Sequence, residues 1–321
     1  MLFNKVNKLQ LLLRSNYLFP SYLQIEPTAK CNLKCTTCLR SRLKDEVNSD
    51  MELDTFKSIV DQLRSHVYST QAINLTGCGE PFLNPNLIDM VKYAKKKGLK
   101  VTLVSNFTVT TEKKLLELIE AELDTLAVSI DGATKKTFEA IRIGAVFEDI
   151  LKKVIFVVKM KEKLGVRKPK LYFNCVIFKE NSYEAKKIVG LAEKLRIDGI
   201  VFSKPVFPGV KYSETNISGI PVEELVSTKV KVDVKYLAER APHCMALRAC
   251  YVTFDGKVMP CNVVIETVPR REYPSYQMGE LTKQSLADIW FSRKYKKLRT
   301  RIINTGYGNM PFCKSCPSYG A

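Results

Sequence analysis

The chain has 321 residues, 45% of them hydrophobic and 26% charged, which excludes disordered and fibrous proteins and exceeds what one small core organises. The 51 Lys and Arg against 33 Asp and Glu leave a formal charge of +18, which favours nucleic acid, an acidic electron-transfer protein, a phosphorylated small molecule or an anionic membrane surface as partner. Apolar runs such as Val154 to Val158 are too short to span a membrane, and Lys5, Lys8 and Arg14 interrupt the N-terminal apolar residues with no cleavage site after them, so export is not expected. The ten cysteines then belong to a reducing cytoplasm, as metal ligands rather than disulfides.

Residues 1–21 read as an amphipathic helix stopped by Pro20, with Leu2, Val6, Leu9, Leu12 and Leu13 at helical spacing. Its apolar face either packs on the barrel or, with its basic residues, anchors the chain peripherally to a membrane through residues 1–20. From residue 22, short strands alternate with helices. The strands are expected at 23–26, 72–76, 100–105, 125–130, 170–177 and 199–203. The helices are expected at 54–66, 86–97, 112–121, 134–164 and 182–195, with Asp54, Asn86, Thr111 and Ser182 as N-caps. A repeated β-then-α order gives parallel strands with right-handed crossovers. Six such units over 22–205 make an α/β fold, a partial (β/α)6 TIM-like barrel, with chemistry expected in the loops after the strands' carboxyl ends. Pro205, Pro208, Gly209, Gly219 and Pro221 mark 206–239 as a linker. Residues 240–321 hold half of the cysteines and a hairpin pattern, Tyr251–Phe254, Asp255–Gly256 and Lys257–Met259, which suggests a small domain stapled by metal.

Directly after the first expected strand stand Cys31, Cys35 and Cys38. Structural zinc sites draw four ligands from paired knuckles, whereas a lone trio of thiolates suits an iron–sulfur cluster with one iron left open. Zinc completed by a distant residue is the alternative. Further along, Thr76-Gly77-Cys78-Gly79-Glu80-Pro81 follows the second strand, Ser105-Asn106 ends the third, Ser129-Ile130-Asp131-Gly132 ends the fourth, and Arg142 lies beyond.

These motifs, in this order, resemble the radical S-adenosylmethionine (SAM) superfamily. The resemblance covers roughly residues 22–205. It implies that Cys31, Cys35 and Cys38 hold a [4Fe–4S] cluster whose open iron takes SAM. It further implies that Gly79, Glu80, Ser105, Asn106, Ser129, Asp131 and Arg142 form the SAM site, with an arginine fork on a carboxylate as sound chemistry. Two positions depart from the family. Cys78 replaces a glycine in the Gly-Gly-Glu-Pro turn, and Thr37 stands where an aromatic residue commonly precedes the third cysteine.

The C-terminal region offers Cys244, Cys250, Cys261, Cys313 and Cys316, and on spacing alone zinc and iron are evenly matched. Cys244, Gly256 followed by Cys261, the segment Gly279 to Trp290, and the Cys313/Cys316 pair resemble the SPASM/twitch extension of radical SAM enzymes. That resemblance implies one auxiliary [4Fe–4S] cluster on Cys244, Cys261, Cys313 and Cys316. Cys250 is the competing ligand and is expected to be buried. Because the sequence ends at Ala321, cysteines for a second auxiliary cluster are not expected. Cys78 and Cys175 are expected as core residues, with a hydrogen-atom donor as the alternative role. His66 and His243 are expected to be structural, and Trp290 to lie in the second domain's core. Asn262 stands where sulfatase-maturating relatives carry a carboxylate base, so oxidation by that route is not expected.

The expected function is a radical SAM enzyme of oxidoreductase or maturase type acting in peptide or cofactor maturation. Reductive cleavage of SAM would give a 5′-deoxyadenosyl radical, with the electron coming from a ferredoxin or flavodoxin. A small-molecule radical dehydrogenase or epimerase is the alternative. A basic, metal-binding nucleic-acid protein without SAM chemistry is the alternative of another class.

Overall fold

A computed structural model of the chain describes residues 18–42, 47–63, 70–206, 224–236, 244–305 and 311–316. The expected helix over 1–20 falls almost wholly outside them, as do His66, His243, Pro208, Gly209, Gly219 and Pro221. Ten strands form one sheet: β1 Tyr22–Ile25, β2 Ala72–Leu75, β3 Lys100–Ser105, β4 Thr125–Ser129, β5 Lys170–Val176, β6 Gly199–Ser203, β7 Lys231–Tyr236, β8 Ala249–Val252, β9 Lys257–Met259 and β10 Gly279–Glu280. Their order is β10-β9-β8-β1-β2-β3-β4-β5-β6-β7. Strands β1 to β7 are parallel, which bears out the partial-barrel expectation.

The helices between the strands are α1 Leu53–Leu63, α2 Leu87–Lys96, α3 Glu112–Glu120, α4 Lys135–Ile141, α5 Phe147–Leu164 and α6 Ala185–Lys194. The period-two alternation of the strands does the sorting. Leu23, Ile25, Ile73, Leu75, Val101 and Leu103 are buried in the main core, whereas Gln24, Asn74 and Asn174 line a cavity on the other face of the sheet. No helix among the described residues is long and apolar enough to cross a membrane.

Three expectations need correction. The single helix over 134–164 is two, because Gly144 adopts φ +100° between α4 and α5, a conformation open to glycine alone at little cost. Of the expected caps, the Thr111 side chain accepts from Lys114 N, but Asp54 lies inside α1, Asn86 makes no capping bond, and the Ser182 hydroxyl donates to the Lys179 carbonyl. The stretch read as linker contains β7, whose Lys231-Val-Asp-Val-Lys-Tyr alternation pairs with β6. Strand β8 pairs in parallel with β1, Leu23 opposite Cys250, so the C-terminal region continues the barrel sheet.

After the hairpin come α7 Asn262–Thr267, α8 Tyr273–Tyr276, α9 Leu286–Trp290 and α10 Arg293–Thr305. Trp290 is buried in the main core, where its indole N–H donates to the Leu18 carbonyl (2.8 Å), so it joins the C-terminal region to the chain just before β1.

Candidate functional site

The loop after β1 is held from both sides. Lys34 N and Thr36 N donate to the Ile143 and Ile141 carbonyls at the end of α4 (both 3.0 Å). The Arg40 guanidinium reaches the Ala29 carbonyl (2.9 Å) and Asn48 (2.8 Å). These ties gather Cys31, Cys35 and Cys38 at the carboxyl end of the sheet. Burial pushes the Cys31 thiol up and the Cys35 thiol to about 11, with Arg142 opposing and the neighbouring thiols adding to the rise at Cys35. Asn106, in the turn after β3, places Nδ2 4.0 Å from Cys31 Sγ.

The turn after β2 packs tightly against that loop. A Cβ on Gly79 would lie 2.2 Å from the Thr28 carbonyl oxygen and 2.5 Å from that of Lys30, so only glycine fits. Glu80 is buried; its carboxylate accepts from Ser105 Oγ (2.7 Å), Asn106 N (2.7 Å) and Phe82 N (3.2 Å). Three of roughly four lone-pair positions are thus taken, and the carboxylate braces the β2 and β3 turns against each other. Desolvation raises its pKa, opposed by those bonds.

Substituting Gly79→Ala is expected to cost about 1–3 kcal/mol by overpacking. It should also weaken SAM binding, because both clashing atoms are backbone. Gly190→Ala, in α6 with open space around the position, should leave stability level or slightly raised. Thermal melts and SAM-binding calorimetry of the two variants check this.

Ser129 ends β4 nearly buried, and Asp131 follows it. The Asp131 carboxylate accepts from Val176 N (2.8 Å) and pairs with Arg142 (2.8 Å), both side chains being largely buried. Arg142 Nε has no partner and is buried. Cys35 lies close enough to Arg142 for each to shift the other's pKa. An unpartnered guanidinium N–H beside the cysteine loop is a ready donor for an anionic ligand group.

The second set is equally ordered. Cys244 opens a 3-10 turn before β8, Cys261 precedes α7, and Cys313 and Cys316 lie in a turn that packs on α7. Cys244 is pushed up to about 12 by burial and by the charges of Cys316 and Cys313, and Cys261 is raised by burial and the same neighbours. Cys250 is fully buried in the main core and senses Arg299 rather than those thiols. Cys175 is likewise a core residue. Cys78 differs from its expectation: it lies on the cavity, its thiol donating to the Ile265 carbonyl (3.7 Å).

Among the described residues no three His, Cys, Asp or Glu side chains converge tightly enough for a single metal ion. The thiols of each set nevertheless sense one another. Each set therefore forms one group of soft thiolate donors, as an iron–sulfur cluster requires. Soft thiolate donors and the unpartnered Arg142 Nε together fit a cluster and a carboxylate-bearing cofactor.

Between the sets lies one cavity of about 760 Å³. Cys38 and Thr37 line it together with Cys244, Cys261, Cys313 and Cys316. Its wall includes groups the sequence did not flag. Asn262 donates to Glu266 (2.8 Å), so a carboxylate one helical turn along faces the cavity although position 262 is an amide. The Tyr251 hydroxyl is buried without a partner. Behind that wall, and not part of it, Glu26 lies fully buried at the end of β1 and accepts two 2.8 Å contacts from Arg270 and the N–H groups of Cys78 and Phe254. No local pattern announces this ion pair, since its partners are 244 residues apart.

The sequence profile of the radical SAM superfamily matches residues 25–197, and that of the SPASM iron–sulfur cluster-binding domain matches residues 244–317. The chain belongs to the radical SAM superfamily and is an enzyme that uses SAM and iron–sulfur clusters, one of them auxiliary. It is 29% identical over 319 residues to the tungsten-containing aldehyde ferredoxin oxidoreductase cofactor-modifying protein of Pyrococcus furiosus, spanning 92% of this chain and 86% of that protein. It is 23% identical to a PqqA peptide cyclase of Rhodopseudomonas palustris, covering 92% and 79%. In fold it resembles Streptococcus suis SuiB bound to S-adenosylmethionine (TM-score 0.69, 15% identity, 96% of this chain and 75% of that one).

Proposed function

We propose that the enzyme modifies a peptide or a cofactor precursor held in the cavity between the two cysteine sets. The observation that carries this reading is the cavity itself, which Cys38 of the first set and Cys244, Cys261, Cys313 and Cys316 of the second line together. A substrate seated there lies between two redox sites. The names of the relatives, a cofactor-modifying protein and a peptide cyclase, support the same classes.

In this reading Cys31, Cys35 and Cys38 hold the SAM cluster, and Cys244, Cys261, Cys313 and Cys316 hold the auxiliary one. When bound, the clusters and SAM supply reductive SAM cleavage and a 5′-deoxyadenosyl radical that removes a substrate hydrogen atom. Arg142, fixed by Asp131, offers its free N–H to the SAM carboxylate. Gly79 lets the β2 turn approach, and Glu80 with Ser105 and Asn106 holds that turn's carbonyls towards the SAM ammonium group. Ser129 contributes a hydroxyl to the ribose. The barrel over 22–205, with β7 added to the edge of its sheet, and the auxiliary domain over 240–321 divide this work between them. The protein works in the cytoplasm, where all ten free cysteines stay reduced. An acidic ferredoxin or flavodoxin supplies the electron.

The test offers reconstituted enzyme, SAM and dithionite with fractionated extract from the source cells. The peptide and cofactor-precursor fractions should raise SAM consumption above the substrate-free rate. Stimulation by neutral sugars or simple alcohols alone would contradict the proposal in favour of a small-molecule dehydrogenase or epimerase.

A further inference from the structure

We propose that the exposed face of α10 is the docking surface for the acidic protein electron carrier. The proposal rests on the radical SAM reading, which requires a low-potential donor. In thirteen residues α10 carries Arg293, Lys294, Lys296, Lys297, Arg299 and Arg301 and no acid. Each of the other described helices of eight or more residues contains at least one Asp or Glu. Arg293, Lys296, Lys297 and Arg301 line a shallow concavity of about 650 Å³, and among the described residues its wall has no acidic side chain. All four are exposed.

The opposite face of the same helix leads to the auxiliary cysteines. Leu298 and Ile302 line the cavity that Cys313 and Cys316 also line. The Tyr295 hydroxyl contacts the carbonyl of Pro260 (3.5 Å), the residue before Cys261. Behind the cationic surface, the Arg299 guanidinium is sandwiched between Trp290 (4.3 Å) and Tyr295 (4.7 Å) with Nε and Nη1 unpartnered, which adds a buried positive charge. A carrier seated on this face stands one helix diameter, about 10 Å, from the cysteine-lined cavity. A complementary charged patch speeds encounter and fixes orientation, which suits a transient redox complex. Nucleic acid, with one charge per about 1.7 Å of duplex, asks for a longer basic track than one helix face.

The test uses the holoenzyme with an acidic two-cluster ferredoxin as probe. Arg293, Lys296 and Lys297 are changed together to Glu, and Lys159, Lys163 and Arg167, exposed on and beyond α5, are changed likewise as a charge-matched control. An acid at position 293 opens the helix and suits its dipole, so α10 should persist; a melt of each variant confirms folding. The α10 variant should bind ferredoxin at least about tenfold more weakly at low salt, the gap narrowing as salt rises, while the control changes by less than about threefold. Equal weakening by both variants, or by neither, overturns the proposal. So does wild-type enzyme that binds short duplex DNA but not ferredoxin. SAM cleavage driven by dithionite should be unchanged in the α10 variant. Its absence from the wild type would instead count against the radical SAM reading.

Discussion

Changing Cys31, Cys35 and Cys38 together to Ala is expected to remove about half of the iron from the anaerobically reconstituted protein and all SAM cleavage. The two thiol sets come from separate elements, the loop after β1 on one hand and the segments before β8, before α7 and after α10 on the other, so neither needs the other to bind metal. Two [4Fe–4S] clusters carry about eight irons per chain, and the variant should keep about four. Cys244→Ala should remove the other half, whereas Cys250→Ala should leave the iron count unchanged, because Cys250 sits in the sheet opposite Leu23 and away from the other thiols. Iron assay and electronic absorption measure all three. Loss of all the iron, or of none, in the triple variant would contradict two independent sites.

Arg270→Met is expected to destabilise the protein by about 3–5 kcal/mol, because it strands a buried charge. Glu26 is fully buried and Arg270 is only 18% exposed, and their contact joins the end of β1 to the segment after α7. The same carboxylate holds Cys78 N and Phe254 N, so one acid ties together the barrel, the turn beside the SAM site and the β8–β9 hairpin. Stacking adds to the arrangement, with Arg270 lying over Phe254 (5.1 Å) and Tyr273 (5.5 Å). The double variant Glu26→Gln with Arg270→Met should recover part of the loss, because it removes the unpaired charge. Denaturant unfolding of wild type, single and double variants measures this. A single variant as stable as wild type would show that the pair does not couple the two regions.

The parallel β/α alternation was legible because each strand and helix carries its own periodicity, and both cysteine sets were legible because spacing and order travel with the chain. The break between α4 and α5 had a visible signal in Gly144, overlooked within a long helical pattern. Strand β7 had one too, in the Val230, Val232 and Val234 alternation, masked by the proline- and glycine-rich stretch before it. The pairing of β8 with β1 had none, because more than two hundred residues separate the partners and each strand alone is only four residues long. For the same reason Glu26 with Arg270, and the Cys78 thiol facing the cavity rather than the core, emerged only from the folded chain.

The most direct test of the enzyme's chemistry is the yield of 5′-deoxyadenosine from SAM and dithionite under anaerobic conditions, followed by chromatography. Wild-type protein carrying about eight irons should form 5′-deoxyadenosine and methionine in equal amounts, and the Cys31, Cys35 and Cys38 variant should form neither. Fully loaded wild-type protein that yields no 5′-deoxyadenosine, or a triple variant that yields as much as wild type, would contradict the assignment.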